Sequence, residues 1–309
     1  MDNPHPRIGF IGLGAMGSAM ALRLAQKSYP MVVFDVDAAA TTLFREMGAI
    51  IAASPREVAD LAPIAFACLP GSKVSLDVAL GEQGVMHGKA LRTYIEASTI
   101  GVETVRKISD ALMLRSIAVV DAPVSGGPRY AAEGRLAVMM AGPRAALDHV
   151  MPVFNALSGK LFHVGHVAGQ GQAMKLVNNL LGAAALVITA EGMVLGAKAG
   201  LDPVRMLEVI NAGTGRNSAT EDKFPKSVLP GAFDYGASVA IMTKDVQLCM
   251  ELAVEQGLTL PLGTEVKRIW ENLMNTGNPQ LDFTTIVKPY EAMAGVEVRS
   301  HTPARPVAE

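Results

Sequence analysis

Along the first half of the chain, short apolar runs alternate with stretches of helical periodicity. The runs cover residues 8–11, 31–34, 64–69, 93–96, 117–121, 136–141 and 161–164. Strands separated by helix-length segments predict a mainly parallel sheet with helices on both faces. From about Gln170 the strand signal ends, and the chain reads as helices to about Met293. Gly, Pro and Asn punctuate them, as in Asn211-Ala212-Gly213-Thr214-Gly215 and Val228-Leu229-Pro230-Gly231. The first of these helices keeps its composition from Gly171 to about Ala199, a length of roughly 45 Å. It is expected to join two domains and to offer an apolar face to other helices, including those of a second subunit. The fold class predicted is α/β: a doubly wound domain over residues 1–165, an all-α domain over 166–295 entered through the long interdomain helix, and a mobile tail over 296–309.

The first strand run, Arg7-Ile8-Gly9-Phe10-Ile11, leads into Gly12-Leu13-Gly14-Ala15-Met16-Gly17. At this spacing Gly12 allows the tight turn out of the strand, Gly14 lets backbone approach a diphosphate, and Gly17 lets the new helix pack on the sheet. The helix start then presents unpaired N–H groups and the positive end of its dipole. The next strand run ends in Asp35, 18 residues past Gly17, close to the spacing of a ribose-binding acid. A carboxylate there accepts from the ribose diol and repels a 2′-phosphate, and Asp35-Val36-Asp37-Ala38 brings no arginine to receive one. The first domain is therefore expected to be Rossmann-like, with Gly12, Leu13, Gly14, Ala15, Met16, Gly17 and Asp35 holding NAD in preference to NADP.

A length of 309 residues allows two cores. A hydrophobic fraction of 50% excludes a disordered protein, and a formal net charge of −2 gives no reason to expect nucleic acid or a membrane surface as partner. Cys68 and Cys249 form no CxxC pair, which argues against a disulfide framework or structural zinc and suits a reducing compartment. The opening residues lack the charged and apolar regions of a secretory signal, so a cytoplasmic protein is expected. Residues 180–195 are strongly apolar, but Glu191 interrupts them and Asn178 and Asn179 stand at their edge. A buried helix is predicted there rather than a membrane span. His163 and His166, with only Asp148 and His149 nearby in sequence, read as solvated or locally bonded, and no metal is expected.

Two clusters carry candidate chemistry. Lys175 and Asn179 lie four apart near the start of the long helix and share a face. A lysine beside a positive helix end and partly desolvated would titrate low enough to exchange a proton with a hydroxyl oxygen, and Asn179 would orient that oxygen. A solvated surface lysine is the alternative. Ser125, Gly126 and Gly127 follow a strand at the carboxyl edge of the sheet, where open α/β folds bind ligands. A hydroxyl beside two unobstructed N–H groups suits a substrate carboxylate, and an ordinary glycine turn is the alternative.

Together, Gly12 to Gly17 with Met20-Ala21, the Asp121 to Gly127 segment, Gly169-Gln170-Gly171 leading to Lys175 and Asn179, and Lys244-Asp245 resemble the four ordered signatures of the β-hydroxyacid dehydrogenases. These are the relatives of 3-hydroxyisobutyrate dehydrogenase, tartronate semialdehyde reductase and 6-phosphogluconate dehydrogenase. The resemblance covers nearly the whole chain. It implies a hydride exchanged between NAD and a small β-hydroxy acid, with Lys175 as general acid/base, Asn179 holding the reacting oxygen, and Ser125, Gly126 and Gly127 holding the carboxylate. It implies further that Leu69, Pro70, Thr99 and Lys244 line the cofactor. Val74 departs from the polar residue frequent in relatives, and Arg129 and Tyr130 follow the double glycine where smaller residues are usual. Their bulk and charge, with Arg216, point to a second anionic group on the substrate. A homodimer or homotetramer is expected. The alternatives are an NADP-linked semialdehyde reductase of the same family and a non-catalytic dinucleotide-binding scaffold.

Overall fold

In the computed structural model, which describes residues 5–299, the first half alternates as predicted. It contains β1 (Ile8–Ile11), α1 (Ala15–Gln26), β2 (Met31–Phe34), α2 (Thr42–Glu46), β3 (Ile50–Ile51), α3 (Pro55–Leu61), β4 (Ile64–Ala67) and α4 (Ser72–Leu80). There follow β5 (Thr93–Glu96), α5 (Val102–Met113), β6 (Ala118–Asp121), β7 (Val124–Ser125), α6 (Gly127–Glu133), β8 (Ala137–Ala141), α7 (Arg144–Leu157) and β9 (Lys160–Gly165). Each of the seven apolar runs forms a strand. The two strands without a sequence signal, β3 and β7, have two residues each, too few to show a period of two.

Among the described residues these strands form one sheet in the order β3-β2-β1-β4-β5-β6-β8-β7, with β9 paired to β8. Strands β1 to β6 run parallel in the 3-2-1-4-5-6 order of dinucleotide-binding folds. β8 is antiparallel to β6 and β7, and β9 is parallel to β8. Both faces are covered, which is why the strands read as unbroken apolar runs. Ile8 and Phe10 face a core shared with Met20 and Leu24 of α1 and Phe154 of α7. Phe66 stacks on Phe10 with ring centres 5.5 Å apart and meets Phe154 edge-on at 5.8 Å. Ile11, Ala65 and Ala67 point the other way, toward Val58 of α3 and Val105 and Ile108 of α5.

The chain divides into two compact units, Met1–Leu176 and Val177–Glu309, and the division falls within α8 (Gln170–Lys198). The second unit holds the rest of α8, α9 (Pro203–Ala212), a wide π-helix (Ala219–Val228), α10 (Val239–Glu255), α11 (Pro261–Thr276) and α12 (Lys288–Ala294). By length and composition α8 is apolar enough to cross a membrane. Its Ala183, Leu186, Ala190 and Met193 instead enter a core with Trp270, Phe224 and Phe283, which accounts for that composition.

The tail expected from residue 296 is packed through Arg299. Val298 is fully buried, and its N–H donates to Glu291 Oε1 at 2.8 Å. Arg299 Nη1 donates to Val228 O at 3.0 Å, and its guanidinium lies 4.9 Å above the Phe233 ring. Val298 joins this core and Val296 packs against it because both are apolar, whereas the prolines that suggested a tail from 296 come later in the chain. The rest of that expected tail, 300–309, lies outside the described residues. Val298→Ala is expected to lower the unfolding free energy by about 2 kcal/mol, measured by urea denaturation. An unchanged midpoint would show that the segment adds nothing to this core.

Candidate active site

β1 ends where the strand order reverses, between β2 on one side and β4 on the other, and the crevice at that point is where doubly wound sheets bind ligands. Gly12 turns the chain there with φ +90°, and a Cβ on it would stand 2.3 Å from Cys68 O. A Cβ on Gly17 would stand 1.9 Å from Gly12 O, so α1 sits against the turn only because both residues are glycine. Over Gly14 a Cβ would meet nothing within 4 Å. Helix α1 has no side-chain cap and no acid in its first turn, which leaves its first N–H groups to an anion. Asp35, at the end of β2, accepts from Leu13 N at 2.6 Å and Asp37 N at 2.8 Å, so its carboxylate stands beside the glycine loop. Open backbone at Gly14, exposed N–H groups and an adjacent carboxylate fit a dinucleotide.

The neighbouring loops are tied to one another. Leu69 N–H donates to Ser98 Oγ at 2.7 Å, and Ser72 Oγ donates to Ile100 O at 2.8 Å. Leu69 and Pro70 are thus held against the segment that carries Thr99. Beneath it, Glu96 is fully buried and accepts from Tyr94 Oη at 3.2 Å and Ser98 N at 3.0 Å. Burial, opposed by the hydrogen bonds from Ser98 and Tyr94 and reinforced by the charge of Asp121, pushes the Glu96 carboxyl up to about 7. Burial also pushes the Cys68 thiol up to about 12, with Glu96 as second cause. Cys68 is thus an inert small side chain.

Asp121 closes β6, fully buried, and receives the start of α8. Its Oδ2 accepts from Gly169 N at 2.8 Å and Gln172 N at 3.0 Å, and its Oδ1 from Gln172 Nε2 at 2.9 Å. Desolvation raises this carboxyl to about 6 against the pull of those bonds. Gly169 turns with φ +101°, and a Cβ on Gly171 would lie 2.8 Å from both Asp121 O and Met139 O, so the helix start presses directly on the sheet edge. Lys175 follows within the first turns and is buried. Glu96, Asp121 and Gln172 were not singled out individually from the sequence. A usable signal was there, since an acid closes each of two otherwise apolar strand runs, Thr93–Glu96 and Ala118–Asp121.

Ser125 ends β7, and Gly126 and Gly127 follow with φ +136° and +80°. A Cβ on Gly127 would meet nothing within 4 Å, and α6 has no side-chain cap at Gly126. Arg129 is exposed and paired with Glu133 at 3.0 Å, while Arg135 lies 4.8 Å over the Tyr130 ring. His163 and His166 meet edge to face at 4.9 Å. Among the described residues no group of three or more His, Cys, Asp or Glu gathers as a metal site.

Within the second unit, Asn179 Nδ2 donates to Asp245 Oδ2 at 2.6 Å, and Asn178 Nδ2 donates to Asn179 Oδ1 at 3.1 Å. A carboxylate only accepts, so Asp245 fixes which end of the Asn179 amide is nitrogen. Lys244 Nζ lies 2.8 Å from Asp245 Oδ1. Arg216 is exposed, 3.6 Å from Glu221, just before Asn217, which accepts from Ala219 N at the start of the π-helix.

A glycine loop at the switch point, a carboxylate beside it and a lysine-bearing helix anchored on the same sheet edge define a dinucleotide-dependent oxidoreductase. A profile described as the NAD binding domain of 6-phosphogluconate dehydrogenase matches residues 7–165. One described as NAD-binding of NADP-dependent 3-hydroxyisobutyrate dehydrogenase matches residues 169–290. The chain is 33% identical over 293 residues to the 2-(hydroxymethyl)glutarate dehydrogenase of Eubacterium barkeri, spanning 94% of this chain and 97% of that protein. It is 34% identical over 296 residues to the NAD-dependent L-serine dehydrogenase of Pseudomonas aeruginosa, with 94% and 99% covered. The solved 3-hydroxyisobutyrate dehydrogenase of Mycobacterium tuberculosis with L-serine aligns at TM-score 0.84 and 30% identity, covering 92% of this chain and 99% of that one. The chain belongs to the β-hydroxyacid dehydrogenase family and is an NAD(P)-dependent hydroxyacid dehydrogenase.

The buried carboxyls have a consequence for stability. A carboxyl that titrates higher folded than unfolded binds its proton more tightly in the native state, so stability falls as pH rises between the two values. For Glu96 that window runs from its ordinary 4.5 to about 7, and for Asp121 from 3.8 to about 6. Urea unfolding across it should show stability falling toward neutral pH, with a shallower fall in Glu96→Gln. Equal slopes in the two proteins would mean that Glu96 ionises normally.

Proposed function

We propose that this enzyme oxidises a small β-hydroxy acid with NAD preferred over NADP, and that Lys175 takes up the hydroxyl proton. The burial of Lys175 in the first turns of a helix anchored on the sheet edge carries the reading. The bound nicotinamide ring supplies the hydride acceptor. Gly12, Leu13, Gly14, Ala15, Met16 and Gly17 form the loop that receives the diphosphate, with the N–H groups of the first turn of α1 turned to it, Leu69, Pro70 and Thr99 line the same crevice, and Asp35 accepts from the ribose diol. Lys175 accepts the proton as the substrate carbon loses hydride, and donates it in the reverse direction. Asn179, its amide set by Asp245, presents its remaining N–H to the reacting oxygen. Ser125 Oγ and the N–H groups of Gly126 and Gly127 receive the substrate carboxylate. Arg216 is assigned to a second anionic group on the substrate. A homodimer or homotetramer would cover Leu181, Ile188 and Leu195, which are exposed at seven-residue spacing on α8.

The test is a panel of hydroxy acids with NAD or NADP, including 3-hydroxyisobutyrate, L-serine and 2-(hydroxymethyl)glutarate, followed by the near-ultraviolet absorbance of the reduced cofactor. With the best substrate, Lys175→Ala should lower kcat about 10²–10⁴-fold. Full turnover in that variant would end the acid/base assignment. Asp35→Ala should shrink the ratio of kcat/KM for NAD over NADP by about tenfold or more, and an unaltered ratio would remove Asp35 as the discriminating group.

A further inference from the structure

We propose that Gln172 is a positioning residue, one side chain that sets the register between the start of α8, with Lys175, and the Thr99 loop. The inference rests on the acid/base reading of Lys175. Gln172 is fully buried within the first unit and uses its whole hydrogen-bonding capacity there. Nε2 donates to Ser98 O and to Asp121 Oδ1, both at 2.9 Å. Oε1 accepts from Ile100 N at 2.9 Å and Gly101 N at 3.2 Å. A flipped amide would face a carbonyl and a carboxylate with its oxygen and two N–H donors with its nitrogen, so only one orientation is satisfied. The groups it clamps, Ser98 O and Ile100 N, are the backbone on either side of Thr99.

The other end of the lever is short. Gln172 N–H is itself held by Asp121, and Lys175 stands three residues further along the same helix. Any slip of the first turn relative to the loop therefore moves the Lys175 ammonium and Thr99 against each other. A misplacement of about 1 Å at a reacting centre costs about 10²-fold in rate. Glu96 reaches Ser98 N, whereas the Gln172 side chain bonds to both the 98–101 segment and Asp121.

Gln172→Met keeps length and burial and removes all four side-chain bonds, whereas Gln172→Glu keeps the two acceptor bonds and turns an oxygen toward Ser98 O and the Asp121 carboxylate in place of the two donated bonds. Three readouts apply to each variant: backbone hydrogen exchange over residues 98–101 and 170–176, the rate at which an amine-directed acylating reagent modifies Lys175, mapped by mass spectrometry, and kcat with NAD and the best hydroxy acid. In Gln172→Met, exchange should rise in both segments together and Lys175 labelling should change several-fold. Turnover should fall about 10–10²-fold, with the larger effect in kcat than in KM, and at least as far in Gln172→Glu, whose second oxygen faces the acceptors Ser98 O and Asp121 Oδ1. Faster exchange with unaltered Lys175 labelling and unaltered kcat would make Gln172 a packing residue only and overturn the proposal. If Gln172→Met does not fold, Gln172→Glu decides by the same readouts. Lys175→Ala separates the two ideas: full turnover in it ends the acid/base reading while labelling and exchange still judge Gln172, and loss of turnover in it beside wild-type behaviour of Gln172→Met sinks the positioning role alone.

Discussion

The carboxylate of Asp121 is the constraint around which the catalytic end of this molecule is arranged. A buried carboxylate is costly unless hydrogen bonds replace its water, and this one ends a parallel strand fully inside the protein. Three donors satisfy it, all from residues 169–172. The start of α8 is consequently obliged to lie on the sheet edge, and Gly171 is the residue that lets it come close enough. A helix whose entry is fixed in this way can carry a lysine at a defined place.

The same logic runs through the cofactor side with glycine in place of charge. Gly12 and Gly17 bring the turn and the helix so close that a methyl group would collide with backbone oxygen, while Gly14 leaves its space empty. Close approach and open approach are thus built from one residue type at three positions. Asp35 joins the two by accepting from Leu13 N, which ties the carboxylate at the end of β2 to the glycine loop.

Polar groups in the first unit form a connected set. Glu96 accepts from Tyr94 and Ser98, Ser98 Oγ accepts from Leu69 N–H, Ser98 O accepts from Gln172 Nε2, and the same Nε2 also donates to Asp121. A fully satisfied buried network rigidifies what it touches, and this one touches the loops after β4 and β5 and the helix of Lys175. In the second unit Asp245 plays a smaller version of the part, orienting Asn179 and holding Lys244. Arg129 and Arg216, by contrast, sit in exposed pairs with Glu133 and Glu221, contacts worth little in stability and readily exchanged for a ligand anion.

Local pattern made most of the architecture legible. The seven strand runs, the glycine loop with Asp35, the change from strands to helices near Gln170 and the long helix all follow from periodicities of two and 3.6 and from residues that only glycine can replace, and those are properties of neighbouring positions in the chain. The short strands β3 and β7, the packed segment at Val298 and the wide helix over Ala219–Val228 were illegible because they are too brief for a period or depend on distant partners. So too was Gln172, whereas Glu96 carried a signal as the acid that closes β5, and Asp245 stood in the Lys244-Asp245 pair but without its partner Asn179. The sequence by itself determined that a glycine loop of dinucleotide-binding pattern follows the first strand and that Lys175 and Asn179 share a helix face. Only the tertiary structure decided that Asp121, 51 residues from Gln172, anchors that helix, because a buried charge chooses its donors by proximity in space rather than along the chain.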